Sequence, residues 1–130
     1  MAELLLDTHA VMWAINEPDR LSDLAREQIT DSANRIVVSA ASSWELATKH
    51  RLGKLPQAGA MLAVLEESLQ RLGADPLAIS HRHALLAGSL DWEHRDPFDR
   101  VLAAQAMIES LVLVTIDAAF DTVAGLRCLW

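Results

Sequence analysis

Short apolar runs alternate along this chain with segments in which apolar residues recur every three or four positions. The first run, residues 4–6, stops abruptly at Asp7, which is typical of a buried β-strand. The β-branched run at 36–38 predicts a second strand, and the longer run at 111–116 predicts another. Two weaker runs predict further strands at 77–79 and 126–129.

Helical spacing of apolar residues fills the segments between these runs. The predicted helices are centred on 11–15, at 22–32, from Ser42 or Ser43 to Gly53, at 56–72, at 83–90 and at 96–109, with one weak turn at 118–123. Strands that alternate with helices in this way predict an α/β fold, with a central, mostly parallel sheet flanked by helices on both sides. A length of 130 residues suits one domain, which we place at residues 1–130.

Composition narrows the class of protein. Hydrophobic residues make up 52% and charged residues 22% of the chain, which is typical of a globular protein and not of a disordered one. No apolar stretch approaches the roughly 18 residues that a membrane-spanning helix requires. The single cysteine, Cys128, excludes an internal disulfide and fits a cytoplasmic protein, and we expect its thiol to be buried in the last strand.

The charge balance is acidic, with 11 Lys and Arg against 18 Asp and Glu and a net charge of −7. A protein that coats nucleic acid through bulk electrostatics is normally basic, so this function is disfavoured. An enzyme that holds metal ions remains compatible with the excess of acids, because a bound cation reverses the local field.

Several acids lie near the ends of predicted strands. Asp7 and Asp117 directly follow two of them, and ligands of open α/β sheets bind outside the carboxyl ends of the strands. Glu45 lies about one turn into the helix after the second strand. Asp96 and Asp99 open a later helix, so their spacing alone does not bring them to the same edge.

Helix capping is the simpler explanation for each acid taken singly. Residues 42–45, SSWE, match a capping box in which the Glu45 side chain bonds the Ser42 backbone N–H. Residues 96–99, DPFD, match a helix start with an aspartate cap followed by proline. Asp7 and Asp117 each precede a predicted helix that they can cap.

Taken together, the acids favour a metal site. Carboxylates that converge on one crevice repel one another unless a cation compensates them. Oxygen-rich clusters suit Mg²⁺ and also Mn²⁺. Three neighbouring hydroxyls are candidates to orient the carboxylates by hydrogen bonds: Thr8, Ser39 and Thr115.

Five segments carry a specific pattern in a fixed order and spacing. They are LLLDTHA at 4–10, VSAASSWELA at 38–47, GKL at 53–55, DPFDRVLAAQA at 96–106 and LVTID at 113–117. Together they resemble the PIN-domain ribonucleases, and specifically the VapC-type toxins of bacterial toxin–antitoxin pairs. The resemblance extends over residues 3–130.

The resemblance implies a catalytic metal site formed by Asp7, Glu45, Asp99 and Asp117, and it implies hydrolysis of RNA phosphodiester bonds to 5′-phosphate and 3′-hydroxyl ends. Asp99 matches the family's spacing into the helix, so Asp96 is expected to act mainly as its cap, with a direct metal contact left open. The implied partners are a second copy of the chain in a homodimer, a VapB-like antitoxin that covers the groove, and operator DNA only through that antitoxin.

Basic residues beside the acids are candidates for contacts to RNA phosphates, which position a nucleic acid without specifying its sequence. These candidates are Lys49, Arg51, Lys54, Arg95 and Arg100. A solvated surface position or an ion pair with a nearby acid is the alternative for each of them.

Three other functions were weighed against the ribonuclease. A phosphatase of the haloacid-dehalogenase type requires a second aspartate two residues after the first, where this chain has His9. A receiver domain requires an aspartate after a middle strand and a lysine after a later one, and neither is present. An inactive module that only binds an antitoxin is disfavoured by the four retained acids, and a cleavage assay with Mg²⁺ or Mn²⁺ distinguishes it.

Overall fold

Five parallel strands form one sheet in the computed structural model, which describes residues 1–130. The strands are β1 (Glu3–Leu6), β2 (Arg35–Ser39), β3 (Ala74–Leu77), β4 (Val112–Val114) and β5 (Cys128–Leu129), in the spatial order β3-β2-β1-β4-β5. The helices are α1 (Thr8–Asn16), α2 (Asp23–Thr30), α3 (Ala40–Arg51), α4 (Gly59–Ala63), α5 (Leu65–Leu72), α6 (His81–Ser89) and α7 (Pro97–Ile108). The predicted α/β class and parallel sheet are confirmed.

Both faces of the sheet are covered, as the continuous apolar run of β1 predicts. Successive side chains of a strand point to opposite faces, so Leu4 and Leu6 pack against α1 and α2 while Leu5 packs against α7. All three leucines are fully buried. β1 therefore lies at the centre of the fold, and the residue that follows it is held rigidly at the sheet edge. None of the helices combines the length and the apolar composition that a membrane-spanning helix requires.

The single helix predicted at 56–72 is wrong. A short 3₁₀ turn, Pro56–Ala58, leads into α4, and Val64 then breaks the helix with φ −126° and ψ 26° before α5 begins. Met61 packs with Leu46 in a small separate cluster, whereas Leu69 of α5 packs against the α1 side of the sheet. One straight helix does not reach both clusters, so the chain bends between them.

Three further predictions are corrected. The third strand lies at Ala74–Leu77 instead of 77–79, and as an edge strand it tolerates Pro76 and lacks a continuous apolar run. α3 begins directly after β2, with Ser39 as its cap instead of Ser42 or Ser43. Cys128 is exposed, because it lies on β5 at the other edge of the sheet.

Candidate metal centre

Asp7 lies at the carboxyl edge of the sheet, directly after the central strand. Its backbone N–H donates to the Val114 carbonyl at 3.0 Å, and its carboxylate Oδ1 accepts from the Ala10 N–H at 2.8 Å, which caps α1. The side chain is buried. Burial raises the pKa of Asp7, the Thr115 and Ala10 hydrogen bonds lower it, and the charge of Glu45 raises it again, with a net increase.

Glu45 projects from α3 into the same region and is also buried. Its Oε1 accepts a hydrogen bond from the Thr8 hydroxyl at 2.5 Å, and its Oε2 accepts one from the Lys49 ammonium at 2.5 Å. The capping-box prediction is wrong, because α3 already begins at Ala40 and Glu45 lies more than one turn inside it. The carboxylate is therefore free of any capping role.

Asp99 occupies the first turn of α7, where its Oδ2 lies 2.6 Å from Nε2 of His94. Burial, followed by the negative charges of Asp96 and Glu45, outweighs the His94 contact and raises the pKa of Asp99 from 3.8 to about 6. The charge of Glu45 raises the pKa of both Asp7 and Asp99, so Glu45 lies near each of them. Three carboxylates on three different elements thus converge.

Asp96 is the cap of α7, as predicted. Its Oδ1 accepts from the backbone N–H groups of Phe98 at 2.9 Å and Asp99 at 3.3 Å. One ligand atom from each of His94, Asp96 and Asp99 also lies within 4.8 Å of the other two, which is close enough to share a metal ion. The cap and the acid cluster are therefore adjacent.

Asp117 lies at the same sheet edge but is not joined to the other acids by a hydrogen bond. Its side chain is exposed, and its Oδ1 accepts from the Ala119 N–H at 2.9 Å, which caps the 3₁₀ turn Ala118–Thr122. Its backbone N–H donates to the Thr115 hydroxyl at 3.0 Å. Thr115 therefore links the Asp117 backbone with the Asp7 carboxylate.

The three hydroxyls that were predicted to orient the carboxylates differ in their contacts. The Thr8 hydroxyl donates to Glu45, and Thr115 lies near enough to Asp7 to lower the pKa of that acid. Ser39 does not contact an acid, because its hydroxyl accepts from the Ala41 N–H at 3.0 Å and caps α3. Sequence analysis missed Ser42, whose hydroxyl lies 3.1 Å from that of Thr8. The spacing of Ser42, three residues before Glu45 on one helix, was the available signal.

His94 was also missed, although it stands two residues before Asp96. The available signal was a histidine in the short polar segment directly preceding the α7 cap. Its ring lies beside Trp92, with the ring centroids 4.8 Å apart, while Nε2 points to Asp99. His94 therefore has a fixed orientation toward the acid cluster.

The basic candidates fall into three groups. The prediction that Arg100 contacts an RNA phosphate is corrected. Its guanidinium donates to the backbone carbonyls of residues 87, 90, 92 and 94 and is not free to bind a phosphate. Lys49 is paired with Glu45. Arg51, Lys54 and Arg95 are exposed and form no ion pair.

The donor set fits a hard divalent cation. Carboxylate oxygens dominate the cluster, and they are the ligands that Mg²⁺ and Mn²⁺ prefer. The pKa values of Asp7 and Asp99 are raised first by burial and in addition by the charges of neighbouring acids, so the ionised carboxylates are costly in the metal-free protein. A bound cation would compensate their charge.

Replacing Asp99 by Asn is expected to stabilise the metal-free protein at pH 7.5. The pKa of Asp99 is about 6 in the fold against 3.8 in the unfolded chain, so the free energy of unfolding falls as the pH rises between these values. Because Asn carries no charge, the variant avoids this loss. Urea unfolding in EDTA should show a free energy of unfolding roughly 1–3 kcal/mol above that of the wild type at pH 7.5, and the difference should shrink toward pH 4. Asp91→Asn, at an exposed position, is the control, and equal effects at both pH values would contradict the prediction.

A model described as PIN domain matches residues 4–126 of the chain. The chain is 32% identical over 120 residues to the ribonuclease VapC22 of Mycobacterium tuberculosis, across 90% of this chain and 88% of that protein. It is 40% identical over 58 residues to the ribonuclease VapC16 of the same organism, where the match spans 45% of this chain and only 41% of that protein.

Solved structures share the fold. The structure of VapBC2 from Rickettsia felis bound to a promoter DNA fragment matches with a TM-score of 0.73 and 21% identity, over 98% of this chain and 97% of that one. DNA-bound VapBC from Salmonella typhimurium matches with a TM-score of 0.72 and 21% identity, over 99% and 98% of the two chains. At this identity the likeness shows the architecture.

Proposed function

Because the chain belongs to the PIN domain family, we propose that it is a VapC-type toxin, an endoribonuclease that depends on a divalent metal and is inhibited by a VapB-like antitoxin. The observation that carries this proposal is the convergence of Asp7, Glu45 and Asp99 at the carboxyl edge of the sheet, with the pKa values of Asp7 and Asp99 raised. Buried acids that gain from a cation are what a metal-dependent phosphodiesterase requires.

Asp7, Glu45, Asp99 and Asp117 would hold a Mg²⁺ or Mn²⁺ ion, with Asp96 adjacent. When bound, such an ion lowers the pKa of a water molecule and polarises the scissile phosphate. Hydrolysis that joins a water oxygen to phosphorus and breaks the bond to O3′ would leave a 5′-phosphate and a 3′-hydroxyl, with one proton of the water passing to O3′ and the other to a nearby carboxylate or to solvent. No side chain forms a covalent bond to the RNA.

The neighbouring side chains hold the carboxylates in place. The Thr8 hydroxyl fixes one oxygen of Glu45, the Thr115 hydroxyl contacts Asp7, and His94 Nε2 fixes one oxygen of Asp99. These contacts keep three mutually repelling groups oriented toward one point. Preorganisation of this kind reduces the reorganisation needed in the transition state.

Exposed cations supply the contacts to the RNA backbone. Arg51 and Lys54 lie at and just beyond the end of α3, whereas Arg95 immediately precedes the Asp96 cap of α7. Their positions on two elements that carry site acids suit phosphates on either side of the scissile bond. Because an acidic protein attracts RNA weakly, each of these local charges should matter more than in a basic nuclease.

Two protein partners follow from the same proposal. The toxin acts in the cytoplasm as a homodimer, to which the α1 region with the half-buried Trp13 contributes. A VapB-like antitoxin covers the acidic groove and places a cationic side chain against the carboxylates. Operator DNA is contacted through the antitoxin.

Purified protein is expected to cut total cellular RNA into discrete fragments with Mg²⁺ or Mn²⁺ and to leave it intact with excess EDTA. The 5′-phosphates should permit direct ligation of the downstream fragments to an adaptor, without kinase treatment, and sequencing then identifies the target. Restoring activity by adding metal back to the EDTA-treated sample is the control. Cleavage that persists in EDTA would contradict the proposed chemistry, and no cleavage by a folded, metal-binding protein would favour an antitoxin-binding module.

A further inference from the structure

Lys49 directs its ammonium group into the acid cluster. It follows Glu45 by one helical turn on α3, and its Nζ lies 2.5 Å from Glu45 Oε2. The Lys49 side chain is 31% exposed, whereas the Glu45 side chain is only 5% exposed. The lysine therefore reaches inward to a buried carboxylate.

Each oxygen of Glu45 accepts one hydrogen bond from a donor of the chain itself. The Thr8 hydroxyl bonds Oε1, and the Lys49 ammonium bonds Oε2. The negative charges of Asp96 and Asp99 also act on Lys49. The Lys49 side chain is a lysine ammonium in hydrogen-bond contact with a buried carboxylate, so it places a positive charge inside the cluster.

This pair differs from the other lysine and arginine ion pairs of the protein. Arg35 and Asp75, for example, form a bridge in which both side chains are about half exposed, and such pairs contribute little. In the Lys49 pair one partner is buried beside further acids, so removing the ammonium leaves an uncompensated charge in the site. The lysine thus compensates part of the charge of the cluster.

We propose that the Lys49 ammonium is the permanent cation of the Glu45 side of the cluster and that each protomer consequently binds one divalent ion instead of two. The two oxygens of Glu45 differ in their neighbours. Oε1 faces the neutral Thr8 hydroxyl and keeps a lone pair for one ion, whereas a second ion at Oε2 would be repelled by the ammonium that lies 2.5 Å from that oxygen. The inference rests on the proposed function, since it concerns the metal that the ribonuclease uses.

The test is a count of bound Mn²⁺ by equilibrium dialysis and electron paramagnetic resonance, at neutral pH and without RNA. Wild-type protein is expected to bind one ion per protomer. Lys49→Met, which keeps the length of the side chain and removes its charge, should bind a second ion or bind the first roughly tenfold more tightly. Lys49→Arg, which retains a cation, should still bind one ion.

Lys54 is the matched control because it is the only other lysine in the chain, is exposed and forms no ion pair. Lys54→Met should leave the Mn²⁺ count and affinity of the wild type unchanged. Circular dichroism checks that the variants fold, and Lys49→Gln is the second charge-removing variant if Lys49→Met does not. Either charge-removing variant tests the same expectation.

Two results would overturn the inference: two ions bound by the wild type, or one ion bound with unchanged affinity after removal of the Lys49 charge. A failure of the proposed function looks different, because the wild type would then show neither Mn²⁺ binding nor cleavage stimulated by metal. A protein that cuts RNA in Mn²⁺ yet binds two ions would overturn the role of Lys49 alone.

Discussion

Asp7→Asn is expected to reduce RNA cleavage on the order of a thousandfold while the protein stays folded, because the metal supplies several kcal/mol of transition-state stabilisation. Asn has the same shape as Asp, and its side-chain oxygen can still accept from the Ala10 N–H, so the cap of α1 is kept. The substitution also removes a buried charge whose pKa the fold raises. The substitution should therefore lower the rate of RNA cleavage without lowering the free energy of unfolding.

The measurement is the initial rate of RNA cleavage in Mg²⁺ or Mn²⁺ together with the urea midpoint of each variant. Asp31→Asn is the matched control. Asp31 is exposed between α2 and the start of β2, away from the carboxyl ends of the strands, and accepts a similar backbone hydrogen bond from Ala33. This substitution should leave the rate unchanged. Full activity in Asp7→Asn would show that the cleaving centre lies elsewhere, or that a contaminating nuclease is present.

Arg100→Met is expected to destabilise the protein by roughly 3 kcal/mol and to lower Tm by about 10 °C. The guanidinium joins the start of α7 to the last turn of α6 and to the segment that follows it. Its four hydrogen bonds of 2.7–2.9 Å go to the carbonyls of Ala87, Leu90, Trp92 and His94. Methionine fills similar volume but donates nothing, so all four carbonyls lose this donor, and only that of Leu90 keeps a known second bond, from the Trp92 N–H. The same segment positions His94 against Asp99, so Mn²⁺ affinity should also fall.

Urea unfolding and Mn²⁺ titration measure the two effects. Arg95→Met is the control for stability, because Arg95 is exposed and forms no hydrogen bond with the protein. Arg100→Lys should also be destabilised, since a lysine does not reproduce the planar fork of donors. A free energy of unfolding for Arg100→Met within about 0.5 kcal/mol of the wild type would contradict this role.

Local signals in the sequence were sufficient for the central elements of the fold. The apolar runs at 4–6 and 36–38 predict β1 and β2, and the aspartate–proline pair predicts the start of α7, because an unpartnered helix end selects its cap from adjacent residues. Asp7 lies at the carboxyl edge of the sheet because it directly follows β1 and caps α1. The family resemblance predicted four site acids, and the fold brings three of them, Asp7, Glu45 and Asp99, into one region.

Predictions failed where several local solutions were equally good or where packing overrode them. Ser39, Ser42 and Ser43 are all acceptable caps, and the end of β2 selects Ser39. The bend at Val64 arises because the residues before and after it pack into different apolar clusters. β3 shifts because an edge strand pairs through its backbone on one side only, which imposes little on its side chains.

The acids, their order and the α/β class were thus determined by the sequence itself, because strands, caps and strand ends depend on neighbouring residues. Only the tertiary structure decided how these acids are supported. The contact of Thr8 with Glu45 joins residues 37 positions apart in the sequence. Lys49 points inward because a buried carboxylate lies one turn before it, and the Arg100 guanidinium donates to backbone carbonyls instead of pointing into solvent. These contacts depend on burial and on distances between elements, and the side chains that form them resemble ordinary surface residues in the sequence.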